Sequence, residues 1–224
     1  MFRTKKLNGF TWYLFWFLAV FLAVFCVDIM YVVWPYPGGA NGIEALRSTL
    51  EYERELIFSL SDDRTLGIIN NIGYWLYQII FVWSGLDGLM RTAANPVPLD
   101  GANEMMRRFI LSNWVFLETA AYGLQLFALR LGVLVLALPL FLITMLAAGI
   151  DGITTWYKRR TSADRETGFI YHRAKRAIEL IILAMAVVYL IPPIPLDPRV
   201  IIPAFAVMLG LAARVQVAYF KKYI

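Results

Sequence analysis

Two short motifs set an aspartate among glycines: Gly85-Leu86-Asp87-Gly88 and Gly149-Ile150-Asp151-Gly152. Two aspartates within hydrogen-bonding reach of one water would be the chemistry of an intramembrane aspartyl protease, one carboxyl serving as acid and the other as base. The charge pattern described below puts Asp87 outside a bilayer and Asp151 inside it, so the pair does not meet. The motifs then read as helix boundaries, glycine closing one helix and aspartate capping the next. There is no G-x-S-x-G, no H-E-x-x-H and no phosphate-binding glycine loop in the chain. A single histidine, His172, and a single cysteine, Cys26, are too few soft ligands for a zinc site, and one cysteine excludes a disulfide framework. No catalytic residue, no metal site and no cofactor is therefore expected, and the chain reads as a non-enzyme.

The other residues with chemical potential are charges in or beside apolar runs: Asp28, Glu118, Arg130, Glu179 and Arg214. Charge at membrane depth is costly and marks function by default. Here position tempers that default. Asp28 lies six residues before the outer end of its run, and Arg130 lies where the next run enters from the same side, so an Asp28–Arg130 pair is expected near the outer interface. Glu179 and Arg214 fall near the inner interface on neighbouring runs and are expected to pair likewise. Structural pairing outweighs a proton or ion path, because no acid sits mid-span in the second, third or fourth run.

The elements that position these residues follow from composition. Of 224 residues, 60% are hydrophobic, 15% aromatic and 17% charged, and the mean hydropathy is +0.62. Soluble domains carry roughly 45–50% apolar and about 25% charged residues, so the composition is that of a membrane protein. Residues 11–34 form an apolar run with Asp28 as its one charge, long enough as a helix to reach about 36 Å. Its length exceeds that of a signal peptide and no small-x-small cleavage site follows, so it reads as an uncleaved anchor. Further spans are expected at residues 131–149, with Pro139 as a kink, at 178–194, and at 200–217. The Pro-rich link 192–198 is a turn at one face.

Four spans put both termini on one side, and the distribution of Lys and Arg says which. Arg3, Lys5 and Lys6 precede the first span; Lys158, Arg159, Arg160, Arg165, Arg173, Lys175 and Arg176 follow the second; Lys221 and Lys222 end the chain. Residues 35–108 instead hold nine acids against six arginines. Both termini and the basic segment are thus expected in the cytoplasm of a bacterial inner membrane. The fold class is all-α and polytopic: an N-terminal anchor (1–34), a periplasmic helical cap (35–130) that includes the stem of the second membrane helix, that helix itself (131–149), a basic cytoplasmic loop (150–177), a membrane hairpin (178–217) and a short cytoplasmic tail (218–224). In the cap, residues 43–60 read as an amphipathic helix in need of a packing partner. Residues 67–85 are nearly apolar enough for a fifth span, but Asn70, Asn71 and Gln78 weaken it and an odd crossing would break the parity. One long helix from about residue 102 through 149 completes the expected cap.

The segment 150–177 is the most particular part of the chain. It interleaves aromatics with charge: Arg165, Glu166, Phe169, Tyr171, His172, Arg173, Lys175 and Arg176. A basic run beside a membrane commonly does no more than fix topology and touch anionic lipid, at about 1 kcal/mol per residue. Phe169 and Tyr171 add a surface able to grip a protein or a nucleic-acid backbone. His172 alone reads as a solvated or capping imidazole.

The run from Ile150-Asp151-Gly152 through the arginine pair to Arg165-Glu166, then Phe169-Ile170-Tyr171-His172-Arg173-Ala174-Lys175-Arg176, with the ending Phe220-Lys221-Lys222-Tyr223-Ile224, resembles the TraJ-type inner-membrane conjugal transfer proteins of H plasmids and integrating conjugative elements. The resemblance covers about residues 131–224. It implies a component of a conjugative type IV secretion system that binds the membrane-anchored coupling ATPase during DNA transfer, in an oligomeric or hetero-oligomeric membrane assembly. It further implies that the eight residues named in the basic segment form the partner-binding surface, and its charge also suits anionic lipid and passing DNA. The small-residue face Ala206, Gly210 and Ala213 would pack against the partner's membrane helices. The alternative is a small transporter or channel subunit, its path lined by Asp28, Glu118, Arg130 and Pro139. An intramembrane hydrolase and an entry-exclusion protein are the weaker readings.

Overall fold

The computed structural model describes residues 9–34, 42–95, 101–162 and 168–220. Among them there are eight α-helices and no strand: α1 (Gly9–Val33), α2 (Gly42–Leu60), α3 (Asp63–Tyr77, extended by a π-helical turn Gln78–Val82), α4 (Leu86–Ala94), α5 (Gly101–Ser112), α6 (Trp114–Thr161), α7 (Gly168–Leu190) and α8 (Pro198–Ala218). Four stretches are long and apolar enough to cross a membrane: Leu14–Val33, Asp63–Val82, Trp114–Thr161 and Pro198–Ala218. Their number matches the expectation, but one member differs. By length and composition Asp63–Val82 is among them and α7 is not, because α7 carries a charged first half and stops at Leu190, four residues short of the expected end, before Pro192 and Pro193.

The local chemistry accounts for the boundaries. Asp62 caps α3 by accepting a hydrogen bond from the Thr65 amide at 3.1 Å. Gly85 sits at φ +79°, the left-handed conformation that glycine adopts without strain, and separates the π-turn from α4. At α8, Asp197 accepts from the Arg199 amide and Pro198 fills the first turn, where its missing N–H costs nothing. The expected helix from about 102 breaks instead at Asn113, whose side-chain amide donates to the Phe109 carbonyl. From Trp114 the chain then runs as one helix for 48 residues, about 72 Å. It continues through Pro139 and, contrary to the boundary reading of Gly149 and Gly152, through both glycines into Lys158, Arg159 and Arg160. The basic segment is accordingly helical on both flanks.

The chain divides into two compact units. The first comprises residues 1–132 and 190–195, the second 133–189 and 196–224. In the first unit, the segment of α6 from Thr119 to Arg130 is buried along almost all of one face. On α1, Phe21 and Phe17 stand edge-on to Phe127, with ring centroids 5.4 and 6.3 Å away, and Asp28 lies against Gly123. This part of α6 therefore lies beside the apolar middle of α1. Helix α2 finds its partner here too, burying Leu46, Leu50 and Ile57.

In the second unit, Ala137 and Phe141 of α6 and Ile202, Phe205, Ala206 and Leu209 of α8 form a core, with Ile178 and Met185 of α7 beside it. Two glycines let α6 and α8 approach. A Cβ on Gly210 would meet the Thr144 methyl at 2.9 Å, and one on Gly152 would meet the Arg214 carbonyl oxygen at 2.8 Å. The stripe of Ala206, Gly210 and Ala213 is thus buried within the chain itself, which corrects the expectation that it faces a partner. A small-residue stripe permits close helix packing without specifying whose helix supplies the other side.

Candidate functional site: a buried arginine clamp and an exposed basic face

The intramembrane charges pair differently from expectation. The Arg130 side chain is fully buried and engages Glu53 of α2 through two bonds, Nε to Oε2 at 2.9 Å and Nη2 to Oε1 at 2.5 Å. Its remaining donors reach the Pro192 and Ile194 carbonyls at 2.6 and 2.7 Å. Asp28 is 2% exposed and its Oδ2 has no hydrogen-bond partner among the described residues, so the expected Asp28–Arg130 pair is not formed. The reason is geometric. Glu53 follows Leu46 and Leu50 and precedes Ile57 at helical spacing, which places its carboxylate on the buried face of α2. That spacing was the signal in the sequence for Glu53, and its carboxylate meets the guanidinium through two parallel bonds, the geometry a guanidinium fork favours.

The expected Glu179–Arg214 pair is also replaced. Arg214 of α8 pairs with Asp151 of α6, next to the Gly152 contact that brings those helices together, while Glu179 is exposed on α7. Asp87 of the other glycine-aspartate motif accepts from the Tyr77 hydroxyl at 2.6 Å and from Arg91 at 2.8 Å. The Tyr77 hydrogen bond, aided by Arg91 and opposed by partial desolvation, holds the Asp87 carboxyl below its ordinary range. Each aspartate is therefore occupied with a structural partner.

The basic face is built on the first turns of α7. Phe169, His172, Arg173 and Arg176 recur at helical spacing and line one shallow hollow. The Arg173 guanidinium lies over the Phe169 ring at 4.2 Å, a stack that holds the arginine out along the surface while its N–H donors stay available. Phe169 is 64% exposed, and His172, Lys175 and Arg176 are exposed with it. Among the described residues, Arg173, Lys175 and Arg176 form no ion pair. Tyr171 turns the other way and stands edge-on to Phe220 at 5.7 Å. Arg165 and Glu166 lie outside the described residues.

A seam that sequence reasoning missed supports this face from beneath. Arg159 of α6 donates to the Ala218 carbonyl at 3.1 Å and lies 3.9 Å over the Tyr219 ring. Trp156 donates from Nε1 to the Phe220 carbonyl at 3.0 Å. These bonds cap the open carbonyls at the end of α8 with groups from α6, and Phe220 then carries Tyr171. These contacts depend on α6 extending past Gly152.

Comparison with known proteins adds one family. Residues 33–221 match the model described as IncC plasmid conjugative DNA transfer protein DtrJ-like. No curated protein and no solved structure matches the chain. The family match begins at the end of α1 and takes in every later helix, including the part before residue 131 where the resemblance read from the sequence is weak. The chain therefore belongs to the DtrJ-like family and has a part in conjugative DNA transfer.

Proposed function

We propose that the chain is a non-enzymatic, multi-pass inner-membrane component of a conjugative type IV secretion system, with both termini in the cytoplasm, that binds and supports the coupling ATPase. The TraJ-type proteins of H plasmids and integrating conjugative elements are the kin we assign it within conjugative transfer. The observation that carries this reading is the α7 face, where Arg173, Lys175 and Arg176 remain exposed without ion pairs among the described residues and Phe169 is presented beside them. An exposed aromatic amid uncommitted cations suits an acidic protein surface better than plain lipid attraction does, since lipid attraction needs charge alone. Arg165 and Glu166 extend the proposed surface along the sequence, and anionic headgroups and passing DNA are its lesser partners.

The transporter reading loses a principal element. Arg130 has its guanidinium committed to Glu53 and two carbonyls, so it offers nothing to a passing ion. The experiment that tests the proposal is recovery of the coupling ATPase with a tagged copy of the chain, extracted in mild detergent from cells engaged in transfer. Absence of the ATPase from that preparation would count against the proposal. Periplasm-only reporters placed after Arg91 and after Arg160 test the topology, with activity expected at the first site and none at the second.

A further inference from the structure

Within the second unit, α6 sorts its side chains by size. Towards α8 it turns Thr144, Ala148 and Gly152, which meet Gly210, Arg214 and Val217. Elsewhere on its surface Ile143, Leu146, Ile150, Ile153 and Tyr157 recur three and four residues apart, and each is more than half exposed. Membrane helices meet through small residues, and lipid tails are as apolar as leucine, so a stripe of large side chains suits acyl chains and the small-residue face suits α8.

The stripe does not stop at Gly149, where the apolar run of the sequence ends. It continues for two turns to Tyr157, and each polar side chain along those turns as far as Trp156 has a partner within the chain. The Thr154 and Thr155 hydroxyls donate to the Asp151 carbonyl at 2.7 and 2.9 Å. The Asp151 carboxylate pairs with Arg214, and Trp156 donates from Nε1 to the Phe220 carbonyl. A segment in hydrocarbon has to satisfy its polar groups in this way. Helix α8 sets the same limit, for it is apolar enough to cross a membrane from Pro198 to Ala218. It runs parallel to α6, with Gly210 on Thr144, Arg214 on Gly152 and Ala218 on Arg159, so its last apolar turns accompany α6 as far as Arg159. At that height the chemistry changes. Lys158 and Arg160 are exposed, and the Arg160 guanidinium lies 5.5 Å from the Trp156 ring centroid. Aromatic rings followed by cations are how a membrane helix meets headgroups.

We infer that residues 150–157 are embedded in the bilayer, that the stripe from Ile143 to Tyr157 is a lipid-facing surface, and that Lys158 and Arg160 engage the phosphates of anionic lipids at its edge. The edge then lies about 12 Å beyond Gly149. The inference does not depend on what binds the α7 face.

The test uses the full chain carrying Cys26→Ala, reconstituted in vesicles of phosphatidylcholine and phosphatidylglycerol, with one spin-labelled cysteine introduced as Leu146→Cys, Ile150→Cys, Ile153→Cys or Ser162→Cys. All four positions are exposed, so the label should leave the packing intact. Relaxation by oxygen, which concentrates among acyl chains, should exceed relaxation by a water-soluble nickel chelate at 146, 150 and 153, and the order should reverse at 162. Nickel access at 150 and 153 equal to that at 162 would overturn the inference by returning those turns to water. Low access to both reagents at these positions would overturn it as well, because protein would then cover the stripe. In the native membrane a photo-reactive amino acid in place of Ile150 should yield adducts with lipid; a predominant adduct with another protein or a second copy would contradict the proposal. In the vesicles, spin-labelled phosphatidylglycerol should be held at the protein surface in preference to phosphatidylcholine. Lys158→Gln and Arg160→Gln should each lower that preference, by up to roughly five-fold, and an unchanged preference in the double variant would overturn the headgroup assignment.

Discussion

Arg130 and Arg173 are both cations on helices with long apolar stretches, and the fold treats them in opposite ways. Arg130 in the first unit is wholly enclosed and its guanidinium is consumed by Glu53 and by the carbonyls of Pro192 and Ile194. Arg173 in the second unit lies flat on Phe169 with its donors free of any ion pair among the described residues. A buried charge must be satisfied internally, and once satisfied it has nothing left to offer a partner. An exposed cation on an aromatic platform has surrendered little. The difference separates charges that hold this chain together from charges that can recognise something else.

The Arg130–Glu53 clamp is where substitution should cost most. Arg130→Met should leave the Glu53 carboxylate enclosed without compensation and cost about 3–5 kcal/mol, read as a fall in unfolding midpoint in detergent or in the amount of protein held in the membrane. Adding Glu53→Leu should recover much of that loss, because an apolar pair of similar volume replaces a satisfied ion pair well. An Arg130→Met protein as stable as the wild type would show that the clamp contributes nothing to stability. A smaller effect is expected in the second unit from Gly152→Val, whose added carbons meet the Arg214 carbonyl and the Val217 side chain. Overpacking of this kind costs about 1–3 kcal/mol, and the same unfolding measurement checks it.

Arg173→Glu combined with Arg176→Glu sharpens the contrast, since stability should move by less than about 0.5 kcal/mol while transfer frequency falls steeply in a mating assay. The weakest expected effect is one of pH at Asp87. Its folded carboxyl titrates below the unfolded value near 4, so its contribution is present in full above that value and is lost as pH falls through the depressed folded one. Asp87→Asn should flatten the pH dependence of unfolding below about pH 4 and leave it unaltered near neutrality.

Much of the architecture was legible from residues alone. The apolar runs of α1 and α8, the amphipathic pattern of α2 and the turn at Pro192 and Pro193 are local properties, written in hydropathy and backbone chemistry. What escaped depends on contacts distant in sequence. Glycine at 85 closes a helix, whereas glycine at 152 stays helical and admits α8, and the same letter cannot say which. Asn70 and Gln78 argue against a membrane span when only α3 is considered, yet they line a cleft beside a membrane helix once α6 is in place. Of the residues expected at the site, Phe169, His172, Arg173, Lys175 and Arg176 are exposed on α7, with Lys175 outside the hollow that the other four line, and Tyr171 turns inward to Phe220. The segment reads as a loop in the sequence; folding into the first turns of α7 is what gathers Phe169, His172, Arg173 and Arg176 on one stripe, and the inward turn of Tyr171 required the end of α8.

We propose that the exposed α7 face, and not the buried charges, carries the interaction with the coupling ATPase. The most direct test is quantitative co-purification of that ATPase from transferring cells with the tagged wild type and with the Arg173→Glu, Arg176→Glu variant, at matched membrane levels of the chain. The ATPase should be retained by the wild type and lost from the variant. Equal recovery with both would contradict it.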